Sequence, residues 1–535
     1  MTKKPELEKL EIYDVTPRDG AQGVGINFTT DDKLWIVEQD DERGIHGVEA
    51  GYPLSNEASR AVFEELRKMK LQFTNYAAFG MTRKKNAAPD HDEGLHALVE
   101  SKAPWITVVG KASRFQVEEI LQTTPKTNRT LINDSLAFLR SEAHPSRLIF
   151  DAEHFFDGFN QDPKYALSCL EAAVNGDADT LVLCDTNGGS FPEEIVEAVK
   201  TVRKEFADLL IGIHAHNDRG LAVANTLAAV DAGAGHVQGV WNGYGERAGN
   251  ADLFSVLVNL KHKGYEVPDT STFTTFSRQV DERARQYPNP RLPIVGSYAF
   301  THKGGMHGSG MSRHRNAYQF MDPKEVGNES KILGSQQAGR AIVKSLVSES
   351  RAIPEPIKEQ ILGDTKMQGV IQKAIEEHDA SGGSYELAPA SLELLMLKAV
   401  DAFTPKINDR RSVIIDELGG LTQATIKITI NGSDEEILEV AESDDGAVDA
   451  LTIALRKALN SHFPILQNFR LIDYKLKKLP GTEGTRSPVQ VLADFTDGEH
   501  IWTTTHIDRD SNVAGWQSVK DAIEYMLLCN GHHDE

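Results

Sequence analysis

One pattern repeats eight times between residues 11 and 241: a short apolar, β-branched run, then a longer amphipathic stretch. The runs are Glu11–Val15, Gly47–Gly51, Gln72–Phe79, Trp105–Val109, Arg147–Ala152, Thr180–Cys184, Leu210–His214 and Val237–Trp241. Their length and β-branched content read as strands. Helical patterns lie between them, as over Asp31–Arg43, Glu57–Lys70, Pro163–Asn175, Pro192–Phe206 and Leu221–Ala232. Eight strand–helix units in about 265 residues match the length and order of a (β/α)₈ barrel. A doubly wound sheet would use fewer strands and a glycine-rich first turn. The spacing therefore predicts an α/β TIM-type barrel over residues 1–275.

The repeat fades near residue 270. Residues 286–296 are rich in Pro and Gly and read as an extended connection. A mostly helical connector, 276–400, follows, interrupted at Ala380–Ser384 by Gly382 and Gly383. Over 401–535 the pattern changes again, with a strand at Ala424–Ile430 and a helix at Ala447–Leu459. Strands at Leu471–Leu476, Val489–Phe495 and Ile501–His506 and a closing helix at Val513–Leu528 complete a βαβββα order. That order predicts a separate α+β domain.

Composition narrows the function classes. At 535 residues the chain is too long for one hydrophobic core. No apolar run approaches the ~20 residues of a membrane span, and the N-terminus lacks the apolar segment of a secretory signal. Cys169, Cys184 and Cys529 are scattered, offering neither a disulfide framework nor a thiolate zinc motif, so a reducing cytoplasmic home is expected. The balance of 57 Lys+Arg against 79 Asp+Glu, a net charge of -22, opposes nucleic acid and anionic membranes.

A barrel of this kind carries its chemistry at the C-terminal ends of its strands. The first strand runs into Arg18-Asp19-Gly20, a cation and a carboxylate side by side. The seventh ends in His214-Ala215-His216. Residues two apart on an extended chain face one side, so the two imidazoles project together, a natural pair of divalent-metal ligands. The eighth leads into Asn242-Gly243-Tyr244-Gly245-Glu246-Arg247-Ala248-Gly249-Asn250, where Asn242 offers an amide oxygen, or else merely a turn. Glu153 and Thr186 follow the fifth and sixth strands onto the same rim. Asp19, His214 and His216 would leave coordination positions open, as catalysis requires.

Tyr13–Gln22, His214–Gly220, Asn242–Asn250 and Ala299–His307 together resemble the acyl-CoA-condensing family of isopropylmalate, homocitrate and citramalate synthases. The resemblance spans barrel, connector and C-terminal domain. Asp151–Gly158, Asn242–Asn250 and Phe300–His307 look most like the longer, citramalate-forming branch. It implies an acyltransferase that condenses acetyl-CoA with pyruvate and water, giving citramalate and CoA for isoleucine synthesis. It implies that Asp19, His214 and His216, with Asn242 nearby or ligating, hold a divalent ion: zinc, manganese, cobalt or magnesium. Arg18 would stabilise the enolate-like or alkoxide oxygen, Glu153 would position substrate and water, and Gln22 and Thr186 would bind substrate, Thr186 through the oxo-acid carboxylate. His307 resembles the family's catalytic histidine, reaching over the barrel from the connector, with delivery to a partner subunit's site as an alternative. Two positions depart from the family pattern: Pro17 replaces the usual Leu, and Ser309 stands where Asp is common.

The C-terminal domain resembles a regulatory and dimer-forming module, so a homodimer with isoleucine as inhibitor is expected, against the alternative of a purely structural domain. The rival functions are the same condensation on a larger 2-oxo acid, a hydroxymethylglutaryl-CoA lyase-like aldol cleavage, and a catalytically silent sensor. An added methylene changes binding by only ~1–3 kcal/mol, too little for sequence to fix which oxo acid is preferred.

Overall fold

The computed structural model describes residues 10–531 apart from 304–306, 308–309, 312, 315, 333–339, 381–384, 386, 417–419, 432, 434 and 480–486, so Ser309, Gly382 and Gly383 lie outside the described residues. The chain forms two compact units: Met1–Phe300 with Pro323–Glu329, and Thr301–Asp322 with Ser330–Glu535.

The first unit is a closed parallel barrel of β1 (Glu11–Asp14), β2 (Gly47–Gly51), β3 (Asn75–Met81), β4 (Trp105–Lys111), β5 (Arg147–Glu153), β6 (Thr180–Asp185), β7 (Leu210–Ala215) and β8 (His236–Gly239). Closure is visible at Tyr13, which pairs with Gly47 on one side and Gln238 on the other. Its ring lies flat against Trp105, centroids 6.2 Å apart, over the space a side chain at position 47 would fill. Tyr13, Val15, Ala77, Trp105, Ile149 and Val182 belong to the buried layer inside the barrel.

The third and eighth strands depart from their expected limits for reasons visible in their hydrogen bonds and backbone. The third starts at Asn75 rather than Gln72 because the N–H groups of Gln72, Phe73 and Thr74 donate to the Asp41 carboxylate instead of to a strand. The eighth stops at Gly239 because the backbone turns over Trp241–Gly243, with Asn242 at φ 60°. Side-chain caps start the outer helices. Thr29 and Asp32 form a reciprocal cap on α1 (Thr30–Arg43), and Gly44 ends it at φ 74°. One further helix used below is α2 (Phe273–Ala284).

The second unit contains helices Arg340–Glu349, Glu355–Gly363, Thr365–Ala380 and Pro389–Ala399. Beyond them are two three-stranded antiparallel sheets, Ile407–Asp416 with Thr422–Ile430 and Glu436–Ser443, and Arg470–Lys478 with Val489–Thr496 and Ile501–Asp508. Helices Ala447–Leu459 and Ser511–Cys529 pack on them through one buried core. The α+β character is as expected, but the order is not βαβββα: Ile407–Asp416 and Glu436–Ser443 are additional strands. The first opens with the polar run Asn408–Ser412, the second is interrupted by Glu436, Glu439 and Glu442, and few positions of either are buried, so neither reads as a long apolar strand. No helix among the described residues is long and apolar enough to cross a membrane, and the cysteines are free.

Candidate metal centre and substrate cavity

The β1 turn places the first two residues of the site. Val15 O accepts from the N–H groups of Arg18, Asp19 and Gly20, at 3.2, 2.8 and 3.2 Å, which folds the chain back over the strand end. Arg18 Nη1 then reaches Asp19 Oδ2 at 2.7 Å, its Nε donates to the buried Glu49 of β2, and its guanidinium lies 4.1 Å over the Phe79 ring. Burial opposes the Arg18 charge, but Glu49 and Asp19 outweigh it and push its pKa further up.

Strand alternation turns both histidines of β7 and its exit toward Asp19. His214 Nε2 lies 3.5 Å and His216 Nε2 3.9 Å from Asp19 Oδ2, and the two nitrogens are 3.4 Å apart. Two nitrogens about 2.0–2.1 Å from one tetrahedral zinc would be separated by about 3.4 Å, so these donors fit a shared divalent ion. Among the described residues the three donor atoms lie within 4.8 Å of one another, and all three side chains are buried.

The protonation states suit the same ion. Burial pushes the Asp19 carboxyl up, but Arg18, His214 and His216 overcome it and hold it well below the usual carboxylate range. Burial pushes the His214 imidazole down to about 4, and His216 is lowered by burial as well. An ionised carboxylate thus faces two neutral imidazoles, the forms that bind metal.

Asn242 does not join them. Its Nδ2 donates to Ser277 O at 2.9 Å and Asp281 Oδ1 at 2.7 Å, and its Oδ1 accepts from Ser277 Oγ at 2.6 Å. Both ends of the amide are satisfied by α2, so its role is to dock that helix under the β8 turn. Asn250 stands at the cluster instead. Its Nδ2 donates to Asp19 Oδ1 at 3.1 Å, and its buried Oδ1 has no hydrogen-bond partner. Backbone pairing fixes it there: His216 and Asn250 form an antiparallel bridge, flanked by Ala251 N to Ala215 O at 3.0 Å. Gly245 and Gly249 make the approach feasible. At φ 133° and 88°, a side chain on the first would strike Asn250 Nδ2 at 2.1 Å and one on the second Gly243 O at 1.9 Å. The signal for Asn250 was its place two glycine turns beyond β8, which a strand-end search passes over.

A cavity of about 310 Å³ opens above the cluster. Arg18, Asp19, Gln22, Glu153, Thr186, His214 and His216 all line it. Phe79, Met81, Val109 and Cys184 form an apolar side. Glu153 is held by Lys111 Nζ at 2.5 Å, a β4 cation that sequence reading missed. Thr186 Oγ1 accepts from His154 N at 2.8 Å, leaving its hydroxyl proton available to a ligand. Arg247 grips Asp218 through two bonds of 2.7 and 2.9 Å and also faces the cavity.

His307 belongs to the second unit, where its exposed imidazole stacks on Tyr318 at 4.0 Å with the His302 ring 5.9 Å away.

Comparison with known proteins adds relatedness to this geometry. Residues 9–280 match the HMGL-like family model, 294–360 the homocitrate synthase post-HMGL domain-like model and 386–527 the LeuA allosteric (dimerisation) domain. The (R)-citramalate synthase of Aquifex aeolicus is 38% identical, over 97% of this chain and 98% of its own. That of Geobacter sulfurreducens is also 38% identical over the same shares. A 2-isopropylmalate synthase of Methylorubrum populi is 27% identical over 98% of this chain and 96% of its own.

Proposed function

The chain belongs to the HMGL-like family and, within it, to the (R)-citramalate synthases, and on that premise we propose that it condenses acetyl-CoA with pyruvate and water, releasing citramalate and CoA. The observation that supports this most is the meeting of Asp19, His214 and His216 beside Arg18, at the mouth of a cavity with one apolar side.

Asp19, His214 and His216 would hold the divalent ion, with the Asn250 oxygen as a further donor. Such an ion supplies a Lewis acid for the ketone and carboxylate oxygens of a 2-oxo acid. Thr186 donates its hydroxyl proton to the substrate carboxylate, and Gln22 binds the substrate from elsewhere in the cavity lining. The ketone oxygen gains negative charge as the methyl carbon of acetyl-CoA bonds to the ketone carbon, and Arg18 stabilises it from a fixed, buried position. The methyl proton is assigned to His307 as general base. Glu153, steadied by Lys111, orients the water that cleaves the thioester and lets CoA leave. Phe79, Met81 and Val109 face the small methyl group of pyruvate.

The LeuA-type domain supports an oligomer with a small-molecule regulatory site. We assign the oligomer as a homodimer, the regulator as isoleucine and the compartment as the cytoplasm. Isoleucine should inhibit while leucine has little effect; equal inhibition by both would contradict that assignment.

The test of function is CoA release from acetyl-CoA with pyruvate, 2-oxoisovalerate or 2-oxoglutarate. Pyruvate should give the highest kcat/KM. A preference for 2-oxoisovalerate would instead make the product 2-isopropylmalate.

A further inference from the structure

Below the cluster, a line of buried polar side chains runs down the barrel, and none of it is used by the reaction above. His214 Nδ1 meets Gln238 Oε1 at 2.7 Å. Gln238 Nε2 donates to Asp151 Oδ1 at 3.1 Å and faces His236 Nε2 at 3.4 Å. His236 Nδ1 in turn meets Glu11 Oε1 at 2.7 Å, while Glu11 Oε2 accepts from Arg147 at 2.8 Å. Gln238 and His236 are fully buried.

The direction of these bonds is set from the bottom. A carboxylate can only accept, so Glu11 calls for a proton on His236 Nδ1, and His236 Nε2 is then the acceptor that faces Gln238. That acceptor needs a donor, which turns the Gln238 amide so that Nε2 faces His236 and Asp151. Reversing the amide would set its oxygen against the His236 lone pair. The Gln238 oxygen therefore points at His214 Nδ1 and requires a proton there. His214 then presents a bare Nε2 to Asp19 and His216.

We propose that Gln238 is a positioning residue that fixes the metal-binding tautomer of His214, with its own amide oriented by Asp151, His236 and Glu11. The inference rests on the reading of Asp19, His214 and His216 as a metal centre. Outer partners of ligating histidines commonly change metal affinity by about 10–100-fold.

Two readouts test it. In metal-free protein labelled with ¹⁵N-histidine, long-range ¹H–¹⁵N correlations, assigned by their loss in His214→Gln, should show His214 protonated at Nδ1. Gln238→Leu, which removes the acceptor, should shift that population toward the Nε2–H form. It should also weaken zinc binding about 10–100-fold in a chelator competition. The double variant Gln238→Glu/Asp151→Asn keeps an acceptor toward His214 and returns a donor to it from position 151. It should recover zinc affinity to within a few-fold of wild type, which a loss of packing alone would not allow. An Nε2–H tautomer in the unmodified protein would overturn the proposal. So would unchanged zinc affinity in Gln238→Leu, or a stably folded double variant that fails to recover it. A wild-type protein that takes up no zinc would overturn the metal reading itself, and the inference with it.

Discussion

Asn242 and Asn250 flank the same loop, and only one of them faces the cluster. Asn250→Ala should lower metal affinity about 10–100-fold, because it removes a donor to Asp19 and a buried oxygen beside the site. Asn242→Ala should leave metal affinity unchanged and lower stability by about 1–3 kcal/mol, because Asp281 and Ser277 lose a buried partner. Metal titration and thermal melts of the two variants check the pair, and metal loss in Asn242→Ala would contradict the assignment. Arg18→Gln should reduce kcat about 10²–10³-fold while metal content is retained, which metal analysis alongside turnover would establish. The histidine pair was legible because alternation is a property of any strand. The buried partners Glu49, Asp151 and Gln238 were not, since a polar residue within a strand gives no sign of which face it takes or what it meets there.

The β1 and β8 loops are joined by an element-scale device with its own pH dependence. Thr16 Oγ1 donates to Asp14 Oδ1 and accepts from Trp241 N at 2.9 Å, while Trp241 Nε1 donates to Asp40 of α1 at 2.9 Å. The second oxygens of Asp14 and Asp40 have no other donor, and the two carboxyls interact directly. Burial pushes Asp14 up to about 7, with bonds from Thr16 opposing and Glu49 adding repulsion. Burial and the Asp14 charge raise Asp40 as well, against the pull of Trp241 and Arg43. The folded state thus binds protons more tightly than the unfolded one. Stability from this pair is full at low pH and is lost as pH rises from the ordinary carboxylate range through about 7. Asp14→Asn keeps the Thr16 acceptor and can donate to Asp40, so it should melt above wild type at pH 8 by an amount worth on the order of a few kcal/mol. The gain should vanish near pH 5; an equal difference at both pH values would contradict a shared proton. Sequence placed β1, β2, β5, β6, β7 and α1 to within one residue because periodicity and caps are local. It placed β8 too far along because the left-handed turn at Asn242 is held by Ser277 and Asp281 of α2, 35 and 39 residues further along the chain.

At the scale of the whole molecule, a net charge of -22 surrounds a cavity that holds Arg18, Lys111 and Arg247. Asp19, Asp151, Glu153 and Glu246 line it too, so the cations act on an anionic oxo acid by direct contact and not through a net positive field. Metal binding should also be a stability statement about the barrel unit. An ion at about a hundred times its Kd adds roughly 2.7 kcal/mol, so chelation should lower the melting temperature and added metal restore it. The division into a barrel followed by an α+β domain was readable from the change in periodicity. The two solvated strands were not, since at least half of each faces water and charged residues break up their apolar positions.

The most direct test follows CoA and citramalate together from acetyl-CoA and pyruvate, first in chelator and then with zinc, manganese, cobalt or magnesium restored. Both products should appear in equal amounts, cease with chelation and return with at least one of the metals. CoA release without citramalate, or citramalate formation that chelation does not slow, would contradict a metal-dependent condensation.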